Sequence, residues 1–129
     1  MTFPLPAPFA DAALLLLRVV VALVFLASGW SHVREPEKRG ESIGLSPPAT
    51  LALGIAEVAG AAMLILGLWP QPAALLLIGV MLGAIYKKIF VWETGFWGDE
   101  GGGWYYDLLY LAANLAIFAT GGGAWVLAG

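Results

Sequence analysis

Four apolar segments alternate with polar ones along the chain. Ala12 to Trp30 is apolar apart from Arg18 and Ser28, and it follows a proline-punctuated start that ends at Asp11. Ala49 to Trp69 is interrupted by Thr50 and Glu57, Ala73 to Trp92 by Lys87 and Lys88 in its last turns, and Trp104 to Thr120 by Asp107 and Asn114. A helix needs about 20 such residues to cross a hydrocarbon core. The pattern therefore predicts an all-α fold with spans over 12–30, 49–69, 73–92 and 104–120. Trp69-Pro70-Gln71-Pro72 is so short a link that the helices it joins must run antiparallel. The expected architecture is a transmembrane four-helix bundle of up-down topology. Ser31 to Pro48 mixes charges with Pro and Gly and reads as a loop with room for a short interfacial helix. Glu93 to Gly103 reads as a second loop, rich in glycine and acid, and Gly121-Gly122-Gly123 ends the fourth span before an apolar tail.

Composition strengthens the bilayer reading. Of 129 residues, 60% are hydrophobic and 12% charged, with a mean hydropathy of +0.85, against about 25% charged residues in soluble domains. One transmembrane domain over 1–129 accounts for the length. Met1 to Asp11 has no Lys or Arg, so a cleaved signal peptide is not expected. Six basic residues and a net charge of -3 offer no clustered basic face for nucleic acid. The absence of cysteine removes thiolate nucleophiles and Cys-ligated Fe–S or zinc.

Arg34, Lys38, Arg39, Lys87 and Lys88 all fall at one end of the predicted spans. By the positive-inside rule both long loops are cytoplasmic and both termini face out of the cytoplasmic membrane. The Trp30, Trp92, Trp97 and Trp104 belt agrees. For helix packing, Gly79 and Gly83 form a G-x-x-x-G pair, and Ala52, Ala56 and Gly60 make a second small-residue line; both are expected to serve packing within the chain.

Arg18, Glu57, Asp107 and Asn114 form the candidate intramembrane polar site. An ionisable group at membrane depth costs at least about 2.5–3.5 kcal/mol, so each needs a partner or water. Arg18, Phe25 and His32 share a helix face, as do Thr50 with Glu57 and Asp107 with Tyr110 and Asn114. Three polar stripes are thus expected to face a common interior. Depth arithmetic puts Arg18 about 9 Å from Glu57 along the membrane normal, and Lys87 or Lys88 nearer. Arg18 and Lys87 stand as equal candidates to pair Glu57, which should be paired or protonated. The lysines are expected to snorkel, Asp107 to cap its helix at the interface, and Asn114 to bond between helices. His32 is the sole histidine and is expected to be solvated at the interface; one His supports neither haem nor a metal site. Glu93, Asp99 and Glu100 read as a solvated acidic rim rather than a cation site, and Gly101-Gly102-Gly103 lacks the context of a phosphate loop. His32, Lys87, Trp92, Trp97, Trp104 and Tyr106 form a candidate rim for a pocket opening from the interface, competing with ordinary aromatic anchoring.

The pattern resembles the DoxX family of small four-helix membrane proteins. The resemblance runs from Arg18-Val19-Val20 and Phe25-Leu26-Ala27-Ser28-Gly29, through Gly44-Leu45-Ser46-Pro47, Glu57-Val58-Ala59-Gly60 and Leu66-Gly67-Leu68, to Met81-Leu82-Gly83-Ala84-Ile85, Gly95-Phe96 and Trp104-Tyr105-Tyr106-Asp107-Leu108. Arg18, Glu57, Trp104 and Asp107 match that pattern. His32 stands where a Lys is common, and Tyr105 where a Glu is often found. The resemblance implies a membrane subunit of an oxidoreductase system, quinone-linked in the manner of thiosulfate:quinone oxidoreductase and not active alone. It implies a quinone as the candidate cofactor, with haem and Fe–S disfavoured. It also implies a redox partner protein on the cytoplasmic side, with a homo-oligomer left open. The alternative from another class is a non-catalytic scaffold or a lipid or small-solute handling protein.

Overall fold

A computed structural model describes residues 5–98 and 102–129. Among these residues the chain is helical, with five α-helices and no strand beyond one isolated bridge, Leu68 to Ala128. Helix α1 covers Ala7–Arg34, α2 Pro36–Ile43, α3 Pro47–Leu66, α4 Pro70–Tyr86 and α5 Tyr105–Thr120; α4 continues as a π-helical turn over Lys87–Val91. Three helical stretches are long and apolar enough to cross a membrane: Ala7–Arg34, Pro47–Leu66 and Pro70–Val91. With 16 residues, α5 spans about 24 Å and falls short of that length.

Helix boundaries follow local chemistry. Pro8, Pro36, Pro47 and Pro70 each sit in a first helical turn, where the missing N–H is not needed. This is why α1 and α4 start earlier than the apolar pattern predicts. The Ser46 hydroxyl caps α3 by accepting from the Ala49 N–H at 3.3 Å. Gly44, Gly67 and Gly121 end α2, α3 and α5 in the left-handed conformation that glycine adopts without strain.

Two helix pairs carry the fold. Helices α1 and α3 run antiparallel, since Gly29 meets Gly54 while Arg18 reaches Leu64 and Gly67. A Cβ on Gly29 would lie 2.8 Å from the Gly54 carbonyl oxygen, and one on Gly54 would lie 2.8 Å from that of Gly29. The two backbones touch because neither residue has a side chain. Helices α4 and α5 form the other pair, tied by Lys88 to Asp107 at one end and by Gln71 to the Phe118 carbonyl at the other. The pairs join where α3 turns into α4, with Gly60 on Leu77. Phe25, Ala61, Leu64, Ala74, Leu77 and Ile117 fill the core there.

The apolar tail is strapped back onto the α3–α4 turn. The Trp69 N–H donates to the Ala128 carbonyl at 2.7 Å, and the Leu127 and Ala128 N–H groups converge on the Gly67 carbonyl at 2.9 and 3.1 Å.

The G-x-x-x-G expectation is corrected. Among the described residues, their own helix backbone aside, nothing lies within 4 Å of a Cβ on either Gly79 or Gly83, so this pair packs none of the described helices. Gly29 and Gly54 supply the close approach instead. They stand on separate helices, and no spacing within one segment marks them.

Candidate functional site

The Gly29–Gly54 contact sets up the site. His32 and Glu57, each three residues after its glycine, flank the contact on opposite sides because the helices are antiparallel, and each lies against the other helix's glycine: the His32 Cβ is 2.8 Å from where a Cβ on Gly54 would stand, and the Glu57 Cβ 2.9 Å from one on Gly29. At the distance the glycines permit, His32 Nδ1 lies 3.0 Å from Glu57 Oε1, and both side chains are buried. The Arg39 guanidinium approaches the other ring nitrogen, Nε2, at 3.4 Å from the short helix α2. Arginine can only donate. In the neutral ring Nε2 is therefore the acceptor, which assigns the proton to Nδ1, 3.0 Å from the carboxylate oxygen. The three form a chain from the charged end of the molecule inward: guanidinium, imidazole, carboxylate.

A second buried pair lies across from the first. Lys88 Nζ is 2.8 Å from Asp107 Oδ2 and sits 3.8 Å above the centre of the Tyr106 ring. The π-helical turn matters here, because its wider winding departs from the α-helical spacing just where Lys87 and Lys88 leave the helix. Lys87 turns to α2 and donates to the Ile43 and Gly44 carbonyls at 2.9 and 3.0 Å. Lys88 turns inward, and only 8% of it is exposed.

Between the two pairs is a cavity of about 750 Å³, within the range of small-molecule sites. Phe25, Leu53, Leu76, Val80, Met81 and Tyr110 supply most of its walls, and His32, Glu57, Lys88 and Asp107 give it a polar end. Helix α2 stands over that end through Arg39 and Ile43, held by the Lys87 bonds.

The predicted site residues separate into two groups. Glu57 and Asp107 line the cavity, together with His32, Lys87, Trp92 and Tyr106 of the predicted rim. Arg18 does not. It lies at the opposite end, where its Nη1 donates to the Leu64 carbonyl at 3.3 Å and its Nη2 to that of Trp125. Asn114 is also outside the cavity, and its Nδ2 donates within its own helix to the Tyr110 carbonyl at 2.9 Å rather than between helices. Trp104 stacks edge-on against Phe96 at 4.7 Å, and Trp97 does the same at 4.8 Å, both away from the cavity.

Several expectations are corrected. The partner of Glu57 is His32, not Arg18 or Lys87, because the glycine contact brings α1 and α3 together at that level. His32 is 4% exposed rather than solvated. Asp107 pairs with a buried cation instead of capping a helix, and neither lysine snorkels freely. Among the described residues no group of His, Asp and Glu could hold a metal ion. Asp99, Glu100 and Gly101 lie outside the described residues, so the acidic-rim and glycine-run readings fall there. Sequence reasoning named Lys88 but not its inward turn to Asp107, and it missed Arg39 and the Gly29–Gly54 packing contact.

Three long apolar helices, with the His32–Glu57 and Lys88–Asp107 pairs buried in the bundle they form with α5, define an integral membrane protein in contact with lipid. The chain belongs to the DoxX family, whose model, described as DoxX, matches residues 13–92. That match takes in α1 to the π-helical turn with Arg18, His32, Glu57 and Lys88, while Trp104 and Asp107 lie beyond it. No curated relative and no solved structure matches the chain.

Proposed function

We propose that this chain is the membrane subunit of a quinone-linked oxidoreductase system, of the thiosulfate:quinone type, and that the cavity between the two buried polar pairs receives the quinone. One observation carries the reading: the cavity is apolar along its walls and charged at one end, which suits a ring with two carbonyls on an apolar body. When bound, a quinone supplies two-electron, two-proton carrier chemistry. The chain's own residues contribute binding and proton handling. Lys88 and the Nδ1–H of His32 are the donors available to a ring oxygen, Phe25 and Tyr110 flank the ring, Glu57 with His32 takes or returns a proton, and Arg39, which stays protonated, orients the imidazole.

The chain has no cysteine, so the electrons are assigned to a partner protein on the cytoplasmic side, and the subunit is not active alone. In this reading α5 is a fourth span, completing an antiparallel bundle, with the strapped tail covering the end that its 16 residues do not reach. The five basic residues at the cavity end support an orientation with both long loops in the cytoplasm and both termini outside.

Extraction of small molecules from the purified protein tests the proposal. Quinone enriched over its level in bulk lipid is expected, together with slower quinone-linked electron transfer in membranes carrying Glu57→Gln. No enrichment and unchanged transfer would reject it. A second reading, lipid or small-solute handling without catalysis, draws on the same polar-ended cavity; enrichment of a phospholipid in place of quinone would select it.

A further inference from the structure

The cavity is framed on two sides and open on a third. Toward the α3–α4 turn, Gly60 packs on Leu77, with the Leu77 side chain 3.1 Å from where a Cβ would stand. Toward the charged end, the Lys87 ammonium is bonded to the Ile43 and Gly44 carbonyls, so α2 is held across the polar mouth. Leu77 and Lys87 are ten residues apart, about 15 Å along α4. Between them Gly79 and Gly83 lie one helical turn apart, both exposed and both on the cavity wall, and among the described residues, their own helix backbone aside, no atom lies within 4 Å of a Cβ on either. Leu76, also on the wall, is 41% exposed.

Two glycines in the middle of a helix cost about 1 kcal/mol each relative to alanine, and here they bring no helix closer. What they provide is an unobstructed passage between the cavity and the lipid-facing surface of the protein. We infer that Gly79 and Gly83 form a lateral doorway through which the apolar tail of a polar-headed ligand passes, and that they select for ligands with such a tail. The headgroup rests at the two buried polar pairs, and the chain leaves across the bare face of α4 into the hydrocarbon. The closed polar mouth makes this the route that does not require α2 to move. The inference rests on the quinone reading for the identity of the headgroup; the doorway follows from the shape of the wall.

The test compares a naphthoquinone carrying a polyprenyl tail with menadione, the same ring without a tail, both titrated against the purified full chain in nanodiscs. Gly79→Leu and Gly83→Leu place side chains into space that is empty and improve helix propensity, so the fold is expected to hold, with an unchanged thermal transition. Each variant should weaken binding of the tailed quinone by at least about tenfold, the loss expected when about two methylene groups lose their contacts. Menadione binding should stay within about twofold, a difference near the scatter of context effects on neutral surface substitutions. If the tailed quinone binds the variants as it binds wild type, or if both ligands weaken equally, the doorway is rejected while the quinone site stands. If wild type binds neither, the quinone reading itself is rejected. A measurement on the unaltered chain closes the question independently: a quinone with a photoreactive diazirine on its tail should label the stretch 76–84. Labelling confined to the outer face of α1, at Leu16, Val20 or Leu23, would overturn the inference.

Discussion

Removing the Asp107 carboxylate would leave the Lys88 ammonium buried with only the Tyr106 ring and the Gly103 carbonyl, 3.4 Å away, to hold its charge among the described residues. Breaking a buried pair on one side typically costs about 3–5 kcal/mol. Asp107→Asn is therefore expected to lower the thermal transition in detergent markedly, and Lys88→Met combined with Asp107→Leu to recover most of the loss. A double variant as unstable as the single would show that the pair does more than neutralise itself. The His32–Glu57 pair should respond differently, because Arg39 stands behind it. Glu57→Gln keeps the volume and one acceptor, so its expected effect falls on quinone-linked transfer more than on stability. That Glu57 needs company was legible in the sequence from its position deep in an apolar run. Its partner was not, because depth arithmetic uses distance along the membrane normal only. Which side chains meet across it depends on where two backbones touch, and Gly29 and Gly54 decide that without leaving any periodic trace.

At the scale of helices, glycine has two opposite uses in this chain. Gly29 and Gly54 let α1 and α3 meet, whereas Gly79 and Gly83 leave a wall bare. Gly54→Val should therefore splay the α1–α3 pair, pulling His32 from Glu57, and lower stability by about 1–3 kcal/mol as overpacking does. Gly83→Ala should leave stability unchanged or raise it by up to about 1 kcal/mol, and thermal melts of the two side by side check the contrast. The helices themselves were legible because apolar runs of this length leave little else to form. Their starts were read late, since prolines in a first turn resemble breakers until the geometry shows them as helix openers. The π-helical turn had no sequence signature. It is a local widening that sends Lys87 toward α2 and Lys88 inward, and only the packing around the doublet reveals it.

Across the whole molecule, charge divides the ends. The cavity end carries α2 with Arg39 and the paired lysines, and the other end is closed by Arg18, the Gly67 turn and the tail. The proposed orientation has a direct check, since the chain has no cysteine to interfere. A cysteine at Glu41 should react with a membrane-impermeant maleimide only after cells are opened, and one at Leu127 in intact spheroplasts; the reverse pattern would invert the orientation. The strapped tail also sets an order of events. Arg18 and the Trp125 carbonyl are 107 positions apart, and at about 5–20 residues per second of synthesis the arginine is in place about 5–20 s before that partner emerges. Until then the guanidinium, beyond its bond to the Leu64 carbonyl, must be satisfied by water, lipid phosphate or the insertion machinery. The half of the protein farthest from its cavity thus acquires its final shape last, and a chain stalled before Trp125 would present a membrane-embedded positive charge that quality control could recognise.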